Sequence, residues 1–295
     1  MGSGVFSDLT RRRLRSPGAV AQAWAARTRG TIPADDRMMI IAADHPARGA
    51  LGVGADATAM ASRPELLERL AVTITRPGVD GVLGTADILE DLLMAGLLEG
   101  KLVFGSMNRG GLQGAEFEFD DRWTGYDAAT LAAHGLDGGK MLTRICFDDP
   151  MTARVLEHSG DAVTDLAGHG LVAMVEPFIS ERVSSTRVRN LLDPDSVITS
   201  VQIASGLGAT SAHTWLKLPV VAQMHRVLDA TTLPCLLLGG DPTDSPETTF
   251  ATWGAALQHS AAAGLVVGRA LLFPADDDVA SAVDRAADLV HGGAR

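Results

Sequence analysis

The sequence predicts a (β/α)8 TIM barrel, and three observations carry the prediction. Past residue 37, short aliphatic runs alternate with longer amphipathic stretches; the runs number eight; and most are apolar throughout, as strands buried on both faces of a parallel sheet would be. In order they are MMIIAAD (38–44), GVLGT (81–85), LVFGS (102–106), KMLTRICF (140–147), LVAMVEP (171–177), TWLKLP (214–219), CLLLGG (235–240) and GLVVGR (264–269). A doubly wound open sheet is the alternative built from the same units. The expected organisation is an N-terminal helical extension over residues 1–36 and a catalytic barrel over residues 37–295, with no linker between further domains.

Within the extension, GAVAQAWAARTRG reads as a helix that covers the N-terminal mouth of the barrel or makes an oligomer contact. Between the first two runs, SRPELLERLAVTITRPG has Ser62 and Pro64 at its start and Gly78 after its end, the punctuation of a capped helix. Between the fifth and sixth, DPDSVITSVQIASGLG offers Asp195 or Ser196 as the cap. Two connections are long, MNRGGLQGAEFEFDDRWTGYDAATL after the third run and FISERVSSTRVRNLLDPDS after the fifth. Long segments after barrel strands lie at the face where function concentrates.

Composition narrows the function classes. The chain is 46% hydrophobic and 21% charged, ordinary for a folded protein. A net charge of −11 and a pI near 5.1 have the wrong sign for a polyphosphate backbone, so nucleic acid is not an expected partner. No apolar run approaches the roughly 20 residues needed to cross a bilayer, so no membrane association is expected. TRRRLRSPGAVAQAWAARTRG has a basic cluster before an apolar stretch, but Gln22 and Arg27 break that stretch, and a surface helix fits better than an export segment. Cys146 and Cys235 sit in strand-like runs, which favours buried free thiols and a reducing, cytoplasmic setting.

One residue in the sixth run raises a chemical question. Side chains alternate along a strand, so His213, Trp215 and Lys217 share one face and Leu216 and Leu218 the other. Lys217 therefore points into the barrel or into the helix layer, where an ammonium among Leu and Val costs several kcal/mol unless paired. A lysine stretching to water from a strand end is the bland explanation. Its company argues for more: Asp44 follows the first run, Lys140 and Arg144 lie on the fourth, and Glu176 lies near the end of the fifth. A second cation beside Lys217 and a low-dielectric wall would lower its pKa and leave a neutral amine able to attack a ketone. Carboxylates within reach would move the protons.

The last two runs end in glycine. Gly239 and Gly240 close the seventh, and Gly268 with Arg269 closes the eighth ahead of a short helical stretch. In a barrel these loops hold phosphate, because glycine lets backbone N–H groups approach the anion and an arginine adds a charged fork. Tight turns alone would also use these glycines.

Competing chemistries find less support. A metal site needs His and carboxylate ligands at strand ends, and only His45, beside Asp44, is so placed; His169 and His213 precede their strands. The remaining histidines, His134, His158, His225, His259 and His291, fall on helix-like stretches and read as surface residues. GVGADA (52–57) mimics a glycine-rich dinucleotide loop but starts eight residues past the end of the first run. No cofactor and no metal are expected.

Together these residues resemble the class I, Schiff-base aldolases of the deoxyribose-phosphate, tagatose-bisphosphate and archaeal-type fructose-bisphosphate aldolase superfamily, from MMIIAADHPARGAL to GLVVGRALLFP. Within it the chain looks most like the branch found in actinobacterial inositol-catabolism clusters. The resemblance implies that Lys217 forms the Schiff base, that Asp44, Lys140 and Glu176 are its catalytic partners, and that Gly239, Gly240, Gly268 and Arg269 bind phosphate. For that branch it implies cleavage of 2-deoxy-5-keto-D-gluconate 6-phosphate to dihydroxyacetone phosphate and malonate semialdehyde. Arg144, Arg109 or one of Arg182, Arg187 and Arg189 would then meet the substrate carboxylate. The chain departs from the pattern at Arg144, where a neutral residue is more usual, and at Asp241 and Asp244 beside the phosphate loop. Alternatives are a deoxyribose-phosphate, hexulose-bisphosphate or sulfofructose-phosphate type of aldolase, or a non-catalytic barrel that binds a sugar phosphate. The expected partners are the phosphorylated substrate and further copies of the chain in a homo-oligomer.

Overall fold

Eight parallel strands close on themselves to form the expected (β/α)8 barrel, in a computed structural model that describes residue 6 and residues 8–240 and 245–292. The barrel strands are β1 (Met38–Ala42), β2 (Gly81–Gly84), β3 (Leu102–Ser106), β4 (Gly138–Ile145), β5 (Val172–Ser184), β7 (Thr214–Pro219), β8 (Cys235–Leu238) and β9 (Ala262–Val267). β1 pairs with both β2 and β9, and β4 pairs with β5, so the ring has no gap. Asp241 and Asp244 lie outside the described residues.

Apart from the far end of β5, each strand begins and ends within a few residues of its apolar run, because the run is what both faces bury. Outward side chains pack under the helices, and inward ones form a separate apolar floor of Met38, Ile40, Leu83, Phe104, Met174 and Leu236. Trp215 of β7 leans on that floor and meets Phe104, with ring centroids 5.9 Å apart. Cys146 and Cys235 are buried free thiols, and burial pushes Cys235 up to about 12.

Three local expectations need correction. The helix after the fifth run, α7 (Pro194–Ser205), is capped by Asp193 and not by Asp195 or Ser196; the Asp193 carboxylate accepts from the Ser196 N–H. Proline at the first helical position forces the preceding residue into extended backbone, which makes Asp193 the cap. The long segment after the fifth run is not a loop: β5 continues beyond the barrel to Ser184 and turns back as β6 (Arg187–Asn190), its antiparallel partner. The helical histidines are not uniformly at the surface either. On the last helix, α11 (Val279–His291), the His291 side chain is 4% exposed and contacts Asp35 at 2.7 Å and Asp80 at 3.0 Å.

The segment before β1 carries α1 (Leu9–Arg15) and α2 (Gly18–Ala26). Arg13 pairs with Asp91 on α4 (Ala86–Met94), and Arg27 donates to the carbonyls of Lys101 and Gly135, at the entries to β3 and β4. Trp24 stacks on His134, their ring centroids 5.5 Å apart. GVGADA forms a reverse turn bridged from Val53 to Asp56, with Gly54 in the left-handed region. No helix among the described residues is long and apolar enough to cross a membrane.

Candidate active site

Strand register decides which charges meet. Lys140 on β4 stands level with Met174 on β5, and Leu142 with Glu176, so Lys140 sits one layer deeper than the glutamate. Lys217 faces the interior from β7, and Asp44 enters from just past the end of β1. All four are buried, with 3% of Lys217, 3% of Lys140, 6% of Glu176 and 9% of Asp44 exposed.

Burial of so many charges is tolerable only because they pair. Glu176 Oε2 lies between the two lysines, 2.7 Å from Lys140 Nζ and 3.2 Å from Lys217 Nζ, as ion contacts out of hydrogen-bonding alignment. Lys140 Nζ donates to Asp44 Oδ2 at 2.9 Å, and Ser106 Oγ reaches the same oxygen at 3.2 Å. Asn108 fixes the neighbouring backbone: its amide donates to the Leu142 carbonyl and its Oδ1 accepts from the Leu142 N–H, both at 2.9 Å.

The two lysines differ in what balances their burial. Desolvation pushes both down. Lys140 has two close carboxylates, Asp44 and Glu176, which more than offset burial and hold its ammonium above the usual lysine range. Lys217 shares one of these carboxylates and is repelled by Lys140, so its pKa falls below the usual range. The carboxylates answer in kind: against burial, Lys140 and Lys217 hold Asp44 far down and Glu176 at about 2. Burial also pushes His45 down to about 3, so the 3.9 Å approach of its ring to Asp44 is not an ion pair at neutral pH.

Above this network a cavity of about 420 Å³ opens at the carboxyl ends of the strands. Glu176 and Lys217 form its charged floor, and Gly239, Gly240, Gly268 and Arg269 line the β8 and β9 side. The Gly268 backbone is hemmed in, since a Cβ there would lie 2.3 Å from the Ala42 carbonyl oxygen. At Gly240 a φ of +66° calls for glycine instead. Lys140, Asp44 and Arg144 do not line this cavity; the first two back it, and Arg144 pairs with Glu118 from the segment after β3.

Several lining residues escaped the sequence reading. Arg48 sits on the 3-10 turn His45–Arg48, Asn190 on β6, and Thr249, Thr252 and Trp253 on α9 (Pro246–Ala256). Arg48 had a signal in its position four residues beyond Asp44, but nothing in its own neighbourhood marks it. Of the arginines considered for a carboxylate, Arg182 pairs with Asp149, Arg189 with Glu181, and Arg109 donates to Thr124. Among the described residues no group of three His, Cys, Asp or Glu side chains is placed to hold a metal ion.

The sequence profile of the Cgl0159-like family matches residues 36–287. The chain belongs to the Cgl0159-like family. Its similarity to the crystal structure of Cgl0159 from Corynebacterium glutamicum is 51% identity over 100% of this chain and 99% of that one, with a TM-score of 0.96. An archaeal fructose 1,6-bisphosphate aldolase superposes with a TM-score of 0.64 at 19% identity, over 93% of this chain and 100% of that one. A Schiff-base-forming fructose-1,6-bisphosphate aldolase superposes with a TM-score of 0.62, also at 19% identity, over 92% of this chain and 100% of that one. For this Cgl0159-like chain the two aldolases attest the barrel fold. A comparison with functionally curated proteins finds no match.

Proposed function

We propose that this Cgl0159-like protein is a class I aldolase that cleaves a phosphorylated ketose or keto sugar acid through a Schiff base on Lys217. The observation that carries the reading is the asymmetry of the lysines about Glu176: Lys140 is held charged, while the lysine on the cavity floor is pushed toward the neutral amine. A nucleophilic amine must have a free lone pair, and a nearby cation in a dry site supplies it.

With the substrate phosphate against Gly239, Gly240, Gly268 and Arg269, the adjacent ketone faces Lys217 Nζ. The amine adds to the carbonyl carbon to give a carbinolamine, which takes up a proton and loses water to leave an iminium. A carboxylate then removes the proton of the hydroxyl on the β-carbon. The bond between the α- and β-carbons breaks, its electron pair moves into the iminium to form an enamine, and the oxygen of the departing half becomes an aldehyde. Protonation of the enamine carbon and hydrolysis return the amine. Glu176, ionised and 3.2 Å from Lys217 Nζ, is the nearest proton carrier, and Lys140 keeps it ionised.

Resemblance favours 2-deoxy-5-keto-D-gluconate 6-phosphate as substrate, which this sequence of steps converts to dihydroxyacetone phosphate and malonate semialdehyde. Borohydride reduction in the presence of dihydroxyacetone phosphate, followed by peptide mapping, tests the chemistry. The expected result is a reduced three-carbon phosphate adduct on the peptide containing Lys217. An unmodified Lys217 under these conditions overturns the proposal.

A further inference from the structure

The three buried partners of Lys217 are each fixed in one protonation state. Glu176, held at about 2, and Asp44, held far down, stay ionised at neutral pH, while Lys140, held above the usual lysine range, stays protonated. An ionised carboxylate can take the proton of the β-hydroxyl. It has none to give the carbinolamine, whose hydroxyl must be protonated to leave as water. That step calls for a group that gives and takes a proton near neutrality, where proton transfer is most efficient.

His45 is placed to be that group. It opens the 3-10 turn beyond β1 and lines the catalytic cavity together with Lys217, Arg48 and Arg269. Its ring packs on the exit of β9, where a Cβ at Gly268 would lie 3.0 Å from His45 Cε1. Among the described residues its buried Nδ1 has no hydrogen-bond partner, and the nearest carboxylate oxygen, Asp44 Oδ1, is 3.9 Å away. With Nδ1 turned to that carboxylate, Nε2 is the nitrogen left for the cavity. The charged groups that face the ring are Asp44, Arg269, Arg48 and Lys217; burial and the three cations keep it neutral against the pull of Asp44. A phosphate held beside Gly268 and Arg269 offsets the arginine charge and leaves Asp44 to act, so the ring gains a proton as the anion binds.

We propose that His45 is a catalytic residue, the proton carrier of the carbinolamine steps, loaded with its proton when the substrate phosphate binds. The inference rests on the Schiff base at Lys217 and names the acid for its dehydration. The protonated ring gives its Nε2 proton to the carbinolamine hydroxyl; the carbon–oxygen bond breaks, water leaves with the bonding pair, and the nitrogen lone pair closes the iminium. The ring is then neutral. Glu176 takes the β-hydroxyl proton and returns it to the enamine carbon, so carbon–carbon cleavage draws no proton from His45. When water adds back to the iminium, its surplus proton goes to Nε2. The carbinolamine collapses with its hydroxyl proton moving to the nitrogen, which restores the neutral amine and a protonated ring. One proton enters with the substrate phosphate and leaves with the product phosphate.

A rate and a spectrum test this together. Rapid-quench borohydride trapping with dihydroxyacetone phosphate measures how fast the iminium forms. In His45→Gln, a polar side chain of similar size that cannot carry a proton, that rate should fall roughly a hundredfold to ten-thousandfold, while the adduct reached at long times stays on Lys217. In the unaltered protein, ¹⁵N spectra of the histidine side chains, with His45 assigned by sequence, should show a neutral ring at neutral pH and a protonated one under saturating inorganic phosphate. The spectrum needs no variant, so it decides even where His45→Gln folds poorly. An unchanged trapping rate in His45→Gln, or a ring that stays neutral with phosphate bound, overturns the proposal. Complete absence of the adduct in the unaltered protein is a separate failure: it removes Lys217 as the nucleophile, and with it the step that His45 serves.

Discussion

Two clusters of carboxylates and basic side chains sit at opposite ends of this barrel, and their difference is instructive. At the carboxyl ends of the strands, Asp44, Lys140, Glu176 and Lys217 form a chain of contacts that ends at a cavity. At the amino ends, His291 of α11 contacts Asp35 and Asp80, while Asp80 also accepts from the Met39 N–H at the start of β1. The second cluster ties the last helix to the first two strands. Both combine carboxylates with basic groups, yet only the first has a basic group facing open space and short of counter-charge. Charge that is fully used in holding elements together has no chemistry left to do; Lys217 is set apart because Glu176 is shared.

The largest effect should come from breaking the first cluster at its open end. Lys217→Met removes the proposed nucleophile and should lower kcat by about 10⁴-fold or more, with no adduct after borohydride. It should fold normally, because an apolar side chain replaces an ammonium in a buried site and Glu176 keeps Lys140 as its partner. Circular dichroism melting alongside the rate assay checks both halves of the expectation.

Breaking the same cluster one layer deeper should be smaller in rate and larger in stability. Lys140→Met leaves Asp44 and Glu176 without their main counter-charge, a change that costs roughly 3–5 kcal/mol. Loss of the repelling cation raises the Lys217 pKa, so less neutral amine exists at a given pH and the activity profile moves to higher pH. The carboxylates respond with a definite sign. In the unaltered protein Glu176 is held at about 2 against an ordinary 4.5, so its stabilising contribution is complete above the ordinary value and is lost as pH falls toward the lower one. In Lys140→Met the folded Glu176 pKa rises, so that contribution should be smaller and exhausted at a higher pH, read from melting temperature against pH.

Much of this was legible in the sequence for a physical reason: residues that violate their surroundings stand out. A lysine inside TWLKLP and a glutamate inside LVAMVEP are visible as costs, and barrel strands are visible as apolar runs. What stayed hidden was whatever depends on partners distant in sequence. Glu118 and Arg144 are 26 residues apart and meet only when the segment after β3 folds over β4. Arg48 lies on a single 3-10 turn with no periodicity to reveal it, and the hairpin bearing Arg187 and Asn190 has polar and serine-rich arms that read as loop. His291 looked like an exposed helix terminus because its two carboxylates lie more than 200 residues earlier.

That histidine provides the smallest and cleanest break in the comparison. His291→Ala removes the ring contacts to Asp35, Asp80 and the Gly78 carbonyl, the last at 3.1 Å, and leaves a small void beneath α11. Loss of part-buried hydrogen bonds to carboxylates costs about 1–3 kcal/mol, which for a chain of this length lowers the melting temperature by a few degrees. The cavity and its four charged residues lie at the other end of the strands, so kcat and the pH profile should not move. A rate change comparable to that of Lys140→Met would mean that the two clusters are coupled through the barrel, and that the division between an end that binds the fold and an end that does chemistry is wrong for this protein.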